Sequence, residues 1–269
     1  MFPLFFIGLL MGSFLNCLIY RLENNLPIFV DLLKNKPWKF SRSFCPHCKK
    51  DLKWFELIPI ISFVIQKFCC RSCHRKISWQ YPVVEIITGL LFLLIFNSQF
   101  SLSAGGFNEF LDLGIFEILN LVYLLTVTSL LILIAVFDYK YYIIPNKFIY
   151  PLILLVTGYQ LLLTPHSLLL TTIIVSFAFA TFFFLMTVLS GGRWMGMGDA
   201  KLVLFMGLFL GWPRIFLAIF LSFILGSLIS LILIFTKQKT LKDIIPFGPF
   251  LILGTFIALL WSDYLIGLI

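Results

Sequence analysis

Long apolar stretches dominate this chain and limit what it can fold into. Seven windows are long enough to cross about 30 Å of hydrocarbon as helices; they are 2–20, 82–98, 116–137, 147–164, 168–190, 215–235 and 245–262. A shorter window, 200–212, ends in Gly-Trp-Pro and predicts a short helix that meets the next one at a tight turn. With 61% hydrophobic and only 12% charged residues, the composition suits a bilayer rather than a soluble core. We therefore predict an all-α integral membrane protein with about eight transmembrane helices.

The apolar pattern also predicts a division of the chain into three parts. Residues 1–20 form the first transmembrane helix, which we expect to remain as an anchor because neither a basic n-region nor a small-residue cleavage site accompanies it. Residues 21–81 form a small polar insert between helices one and two. Residues 82–269 form the membrane-embedded domain.

The positive charges are concentrated in the insert, which contains 12 of the 20 Lys and Arg residues. Because loops rich in Lys and Arg stay in the cytoplasm, we predict a cytoplasmic insert. An eight-helix threading then places the charged group Lys140, Lys147, Arg193, Lys201, Lys237, Lys239 and Lys242 on the same side, with both termini outside. The net charge of +8 is thus explained by membrane topology, so we expect membrane lipids and no nucleic acid as partners.

Two Cys-x-x-Cys pairs in the insert predict a metal site. Cys45 and Cys48 form the first pair and Cys70 and Cys73 the second, with 21 residues between them. Two such turns complete a tetrahedral four-thiolate site, the form of a structural zinc ribbon or knuckle. Disulfides are the alternative, but they rarely persist in the reducing cytoplasm. The spacing leaves open whether Cys69, His47 or His74 replaces one of the four ligands.

Four acidic residues lie within or at the ends of the predicted spans: Glu85, Asp138, Asp199 and Asp263. An ionisable residue costs about 2.5–3.5 kcal/mol in the centre of a bilayer, so each one suggests a function. The threading places Asp138 and Asp199 at the same depth near the cytoplasmic face. Two carboxyl groups in a confined site of low dielectric share a proton, so one activates water as a base while the other serves as an acid. This is the chemistry of an aspartic protease.

Each aspartate alone is better explained as a helix end at the membrane surface. Asp138 precedes the polar stretch YKYY, which suits the membrane surface, and Asp199 is placed to cap the helix that follows it. Gly196 and Gly198 favour the catalytic interpretation of Asp199, because they remove side chains that would block a substrate backbone.

Seven blocks of sequence together resemble the type IV prepilin peptidases, a family of intramembrane aspartic proteases and N-methyltransferases with the GxGD motif. They occur in the family's order and cover nearly the whole chain: GSFLNCLIYRLE, the pairs CPHC and CRSC, WFELIPIISF, ISWQYPVVE, FDYKYYIIPNKFIYP, GMGDAKL and IPFGPFLILG. The chain departs from the family pattern at Asn146, where aspartate is frequent, and at Lys67 and Phe68, where a glycine commonly precedes the second cysteine pair.

The resemblance implies an activity, a location and partners. Asp138 and Asp199 match the catalytic aspartates, and the four cysteines match the family's tetracysteine motif. The substrates would be prepilin or pseudopilin precursors, cut at the cytoplasmic face of the bacterial inner membrane after a glycine that precedes the hydrophobic helix. The new N-terminal residue would then be methylated with S-adenosylmethionine. No glycine-rich nucleotide loop indicates which residues bind this donor.

Several further residues have two interpretations. Glu85 either orients the active site or faces a polar groove, and Lys201 either approaches the carboxylates or extends to the membrane surface. Pro246, Gly248 and Pro249 are expected to interrupt the start of the last helix and to leave a lateral opening for substrate.

Two rival functions remain on the sequence alone. The first is a zinc-domain membrane scaffold of a secretion or pilus machine, in which the aspartates are only helix caps. The second is a transporter with proton-relaying carboxylates. The transporter ranks last because the spans contain few polar residues across the full depth of the bilayer.

Overall fold

The computed structural model of the chain describes residues 2–24, 43–99, 114–163, 165–240 and 243–266. Part of the predicted insert (25–42), Lys242 and the side chain of Asp263 lie outside the described residues.

The described residues form nine α-helices. In chain order they are α1 (Phe2–Glu23), α2 (Ile61–Ile65), α3 (Gln80–Gln99), α4 (Ile115–Tyr141), α5 (Asn146–Leu163), α6 (His166–Leu189), α7 (Met197–Leu210), α8 (Arg214–Phe235) and α9 (Gly248–Ile266). Within the described ranges the only β pairing consists of two isolated bridges. The predicted all-α fold is therefore confirmed.

Six of these helices are long and apolar enough to cross a membrane: α1, α3, α4, α5, α6 and α8. Two other helices are apolar but shorter. The apolar part of α9 covers Gly248–Trp261, and α7 has 14 residues. A helix is thus present for each of the eight predicted spans, and six of these helices are long and apolar enough to cross a membrane. The short sixth window proves to be a short helix, although it begins at Met197 rather than at residue 200.

The chain consists of two compact units, Met1–Ser129 and Leu130–Ile269, and α4 runs across the boundary between them. In the first unit, α1 packs along α3. A methyl group on Gly12 would lie 2.7 Å from Cα of Glu85, and one on Gly8 would lie 2.7 Å from Cα of Gly89. Small residues at these positions let the two helix backbones approach closely.

In the second unit, α7 is the central helix and contacts α5, α6, α8 and α9. Nine of its 14 residues are buried, as expected for a helix that is apolar on all sides. Gly207 allows α6 to pack closely, since a methyl group there would lie 2.6 Å from Cα of Ser176. The first turn of α7 is therefore held in place by neighbouring helices, and this turn contains Asp199.

Candidate active site and metal centre

Asp138 lies in the last turn of α4 and is 5% exposed. The backbone N–H of Gly248, the first residue of α9, donates a hydrogen bond of 3.0 Å to its Oδ2. The N-terminus of a helix favours a negative charge, because its first N–H groups have no partner within the helix. The start of α9 thus orients the Asp138 carboxylate.

Asp199 lies in the first turn of α7 and is 8% exposed. Its Oδ2 accepts a hydrogen bond of 3.2 Å from the backbone N–H of Gly196, the residue that precedes the helix. This reach back to the N-cap is the carboxylate half of a capping box. The structure therefore gives Asp199 the capping contact that the sequence suggested as an alternative to catalysis.

The segments that contain the two aspartates also pack on each other. A methyl group on Gly198 would lie 2.9 Å from Cβ of Ile144, in the connection that follows α4. Any side chain at Gly198 would push the first turn of α7 away from this connection. The second glycine of the G-x-G-D motif therefore has a packing reason that is independent of substrate access.

The helix that contains Asp199, α7, also contacts α9, whose first residue is hydrogen-bonded to Asp138. Both hydrogen bonds described above end on Oδ2, and the described residues provide no hydrogen-bond partner for Oδ1 of either side chain. Each carboxyl group is thus fixed by a backbone N–H through one oxygen. The other oxygen of each remains available for water or a substrate.

Lys201 extends away from the motif toward α5. Its Nζ donates a hydrogen bond of 2.7 Å to Oδ1 of Asn146 and lies 5.0 Å from the centre of the Tyr150 ring. Lys201 therefore connects the start of α5 to α7, one turn from the Asp199 carboxylate. Asn146, which departs from the family pattern, provides the acceptor.

The candidate metal site is built from two turns with the same hydrogen-bond pattern. In the first turn, the backbone carbonyl of Cys45 accepts a hydrogen bond from the N–H of Lys49. The N–H of Cys45 donates a hydrogen bond to the carbonyl of Lys50, and both bonds are 3.0 Å long. In the second turn, the carbonyl of Cys70 accepts a hydrogen bond from the N–H of His74, and the N–H of Cys70 donates one to the carbonyl of Arg75. Both bonds are 2.9 Å long.

An isolated β-bridge closes each of these turns, Phe44 with Asp51 and Cys69 with Lys76. In both turns the residue just before the first cysteine forms the bridge. Cys69 is therefore the counterpart of Phe44, which explains why it stands outside the cluster of ligand atoms.

The turns bring together Cys45, Cys48, Cys70 and Cys73, whose Sγ atoms all lie within 4.8 Å of one another. The Cys45 and Cys73 sulfurs are 3.9 Å apart. Four thiolates at about 2.3 Å from a tetrahedral zinc ion would be about 3.8 Å apart, so the arrangement fits this metal. His47 and His74 are not part of the cluster, and His47 instead contacts Arg75 at 3.2 Å.

The thiols of the second turn have opposite pKa shifts. Backbone N–H groups of Cys73 and Ser72 lower the pKa of the Cys70 thiol to about 6. The pKa of Cys73 is raised to about 11, because desolvation and the neighbouring cysteines outweigh the hydrogen bond from the Arg75 N–H. Four thiolates at this spacing repel one another, and a bound cation removes that repulsion.

Glu85 lies in the first unit, on α3, and is 6% exposed. Its Oε2 accepts a hydrogen bond of 2.8 Å from the backbone N–H of Ile60. The sequence offered an orienting role or a polar groove for this residue. The contact with Ile60 shows that Glu85 fixes the chain of the insert just before α2.

Two contacts that shape the site were not predicted from the sequence. The residues Pro246, Gly248 and Pro249 at the start of α9 were expected to interrupt the helix, but the N–H that Gly248 supplies to Asp138 was not predicted. The contact between Gly198 and Ile144 was also missed, although a glycine beside a buried helix turn is a general signal of close packing.

Comparison with known proteins identifies two matching sequence families. Residues 6–99 match the Bacterial Peptidase A24 N-terminal domain, and residues 125–231 match the Type IV leader peptidase family. The first match contains the four cysteines and the second contains both aspartates. No solved structure matches the chain.

Several proteins named prepilin leader peptidase/N-methyltransferase are similar along nearly their whole length. The protein of Bacillus subtilis (strain 168) is 29% identical, covering 98% of this chain and 95% of the relative. That of Stutzerimonas stutzeri is 28% identical, covering 96% and 89%, and that of Legionella pneumophila is 28% identical, covering 97% and 91%. The matches to both parts of the chain, together with the end-to-end similarity to these relatives, show that the chain contains a Bacterial Peptidase A24 N-terminal domain followed by a domain of the Type IV leader peptidase family.

Proposed function

We propose that this chain is an intramembrane aspartic endopeptidase that removes the leader peptide from prepilin-like precursors. Cleavage takes place at the cytoplasmic face of the bacterial inner membrane. The observation that carries the proposal is the pair of buried carboxyl groups on α4 and α7, each oriented by one backbone N–H. The names of the relatives support the choice of prepilins as substrates.

In the proposed mechanism, Asp138 and Asp199 together hold one proton. The ionised carboxylate takes a proton from water while the water oxygen attacks the scissile carbonyl carbon. The protonated carboxyl group gives its proton to the carbonyl oxygen. When the tetrahedral intermediate collapses, one aspartate gives a proton to the leaving amine and the other takes a proton from the hydroxyl group. The pair ends with one proton, ready for another cycle.

We further propose that the chain methylates the new N-terminal amine of the cleaved precursor. This part rests on the relatives, whose name includes N-methyltransferase. The methyl donor would be S-adenosylmethionine, whose sulfonium group makes the methyl carbon electrophilic. The cysteine cluster would hold a structural zinc ion that keeps the two turns of the insert together.

Cleavage of a co-expressed prepilin tests the peptidase. Asp138→Asn and Asp199→Asn should each lower the rate by about 1000-fold, because each removes one member of the acid-base pair. Asp243→Asn is the matched control, since Asp243 is exposed in the connection before α9. The three variants should reach the membrane in equal amounts.

The same experiment separates the peptidase from the scaffold alternative. A scaffold would keep its function in both aspartate variants and lose it only when the cysteines are replaced. Full cleavage by both aspartate variants would therefore overturn the proposal. Mass spectrometry of the mature N-terminus reports methylation separately, as the added mass of one methyl group.

A further inference from the structure

The short helix α2 in the insert exposes an apolar face. Ile61, Val64 and Ile65 are 51%, 57% and 62% exposed, and their spacing places them on one side of the helix. The other side is packed, because Phe63 is buried and Gln66 lines a cavity between α1, the start of α3 and the two cysteine turns. A contiguous apolar patch of this kind marks an interaction site.

α2 begins near the level at which the span α3 begins. The N–H of Ile60, the residue before α2, donates a hydrogen bond of 2.8 Å to Oε2 of Glu85. Glu85 follows Gln80, the first residue of α3, by five positions, which is about 7.5 Å along the helix axis. Side chains on a helix lean toward its N-terminus. The hydrogen bond therefore holds the start of α2 beside the first turns of a membrane span.

Aromatic packing holds the end of α2 at the same level. The ring of Phe68 stacks on that of Trp79 with the ring centres 5.6 Å apart, and Phe63 packs edge-on against both. Trp79 stands directly before Gln80 and is 67% exposed. Tryptophan favours the interface between membrane and water. Both ends of α2 thus lie beside the point at which the chain enters the membrane.

The exposed side of α3 continues this apolar surface. The N–H of Val83 donates a hydrogen bond of 3.2 Å to the carbonyl of Trp79, one helical turn earlier. Val83, Ile87 and Leu90 are exposed on the same side of α3, a helix that is long and apolar enough to cross a membrane. Through Trp79, the lipid-facing side of α3 is therefore continuous with Phe68 at the end of α2.

The charge of this segment suits a phospholipid surface. Residues 57–84 contain four Lys or Arg residues and neither Asp nor Glu. Lys67 and Lys76 are exposed and stand next to Phe68 and Ile77, which are joined by a backbone hydrogen bond of 2.8 Å. A lysine beside apolar surface covers that surface with its carbon chain and extends its charge to the lipid phosphates.

The turn after α2 has an unfavourable backbone conformation. The φ angle is 51° at Lys67 and 64° at Phe68, in the left-handed region that side chains rarely adopt. In the prepilin peptidases that the sequence resembles, a glycine commonly precedes the second cysteine pair here. Unfavourable angles of this kind persist where the surrounding structure enforces them, often at functional sites. This chain therefore keeps a cation and an aromatic ring at a position where the backbone alone would favour glycine.

We propose that α2 is an interfacial membrane anchor. Its apolar face of Ile61, Val64 and Ile65 lies among the phospholipid acyl chains just below the headgroups, and Lys67 and Lys76 contact the lipid phosphates. Interfacial helices bury their apolar face about 5–10 Å into this boundary. The anchor fixes the insert to the membrane at a third point, beside α1 and α3. This role is independent of peptide cleavage and methyl transfer.

Fluorescence quenching in phospholipid vesicles tests the anchor on the full chain. A fluorescent amino acid replaces Val64 in one protein and Asp51 in the other, because Asp51 is exposed in the first cysteine turn. Proteins with the zinc content of the unlabelled chain are compared. Lipids with a nitroxide in the acyl chain near the headgroup should quench the probe at Val64 at least about threefold more strongly than the probe at Asp51. Lipids with the nitroxide at the chain end should quench the Val64 probe less.

Two outcomes of this measurement would overturn the anchor. The first is equal lipid quenching of the two probes. The second is quenching of the Val64 probe by iodide in water as strong as that of the Asp51 probe. A protein is the alternative occupant of the apolar face. Intact prepilin added to labelled Asp199→Asn should leave the lipid quenching unchanged, and loss of that quenching would assign the face to the substrate instead.

The phosphate contacts are tested with the probe kept at Val64. The double variant Lys67→Gln, Lys76→Gln should lower the lipid quenching by about twofold, because the two charges no longer hold the segment at the headgroups. Lys53→Gln is the matched control, since Lys53 is exposed in the same insert but lies outside residues 57–84. Unchanged quenching in the double variant, or an equal fall in the control, would overturn the assigned contacts.

Discussion

The N–H of Gly248 donates a hydrogen bond of 3.0 Å to Oδ2 of Asp138, across 110 positions of sequence. A residue with no side chain, at the start of α9, thereby orients a carboxyl group at the end of α4. The proposed chemistry depends on a backbone group as well as on two aspartates.

Replacing Gly248 should impair cleavage without preventing insertion into the membrane. A methyl group at this position would lie 2.5 Å from Oδ2 of Asp138, so Gly248→Ala must displace the carboxylate. We expect a loss of about 100-fold, as for other small misplacements of a catalytic group. The rate is measured on a co-expressed prepilin. Gly158→Ala, where a methyl group meets nothing within 4 Å, should retain the wild-type rate.

Gly198→Ala should also lower the rate, for a different reason. The added methyl group would lie 2.9 Å from Cβ of Ile144 and would push the first turn of α7 away from the connection after α4. We expect kcat to fall by about tenfold or more, with a smaller effect on KM, because the change acts on the geometry of the pair. Wild-type kinetics in this variant would contradict the packing explanation of the motif.

Lys201 and Asn146 should act through one shared contact. Each single replacement by alanine removes the hydrogen bond of 2.7 Å and should slow cleavage by about three- to tenfold. In the double variant the loss should be clearly less than the product of the two single losses. Fully multiplicative losses would show that the two side chains act independently. Asn146→Asp should preserve activity, since a carboxylate accepts the same bond from Lys201.

Removing a metal ligand should release zinc and destabilise the insert. Cys48→Ser or Cys73→Ser leaves three thiolates, so metal content measured by mass spectrometry should fall and proteolysis of the insert should accelerate. Cys69→Ser is the matched control, because Cys69 occupies the bridge position that Phe44 occupies in the other turn. Equal zinc loss in the Cys69 variant would contradict this assignment.

Zinc uptake by the stripped protein should weaken as the pH falls through the pKa of Cys70, because each of the four thiols must lose its proton to bind the metal. That pKa is lowered to about 6 by the N–H groups of Cys73 and Ser72, so the thiolate is present above this pH and is lost as the pH falls through it. Bound protons compete with the metal. Uptake at a fixed zinc concentration should therefore decline steeply between about pH 7 and pH 5. Uptake that does not change across this range would contradict the shift.

The sequence predicts the helices well because membrane spans need long apolar runs, whatever their neighbours. It also identifies Asp138 and Asp199 as a candidate pair, since charge bias places them at one membrane face. It does not reveal the N–H of Gly248 or the contact between Gly198 and Ile144. These contacts arise from tertiary packing, which leaves no periodic signal in the chain.

The metal site shows the same limit on a smaller scale. Spacing alone leaves Cys69 and Cys70 equally eligible as ligands, because the two residues are adjacent. The β-bridge between Cys69 and Lys76 resolves this choice by fixing the register of the turn. Glu85 is similar, since its partner Ile60 lies 25 positions away and no motif links the two.

The length of α7 has a consequence for the supply of water. Its 14 residues rise about 21 Å, which is about 9 Å less than the hydrocarbon thickness of a typical bilayer. A helix this short cannot place one end at each surface, so at least one end lies below the headgroups. Hydrolysis consumes water that hydrocarbon does not provide, and a shortened helix brings the aqueous boundary inward. The shortness of α7 would then let water reach further into the membrane at the end of this helix.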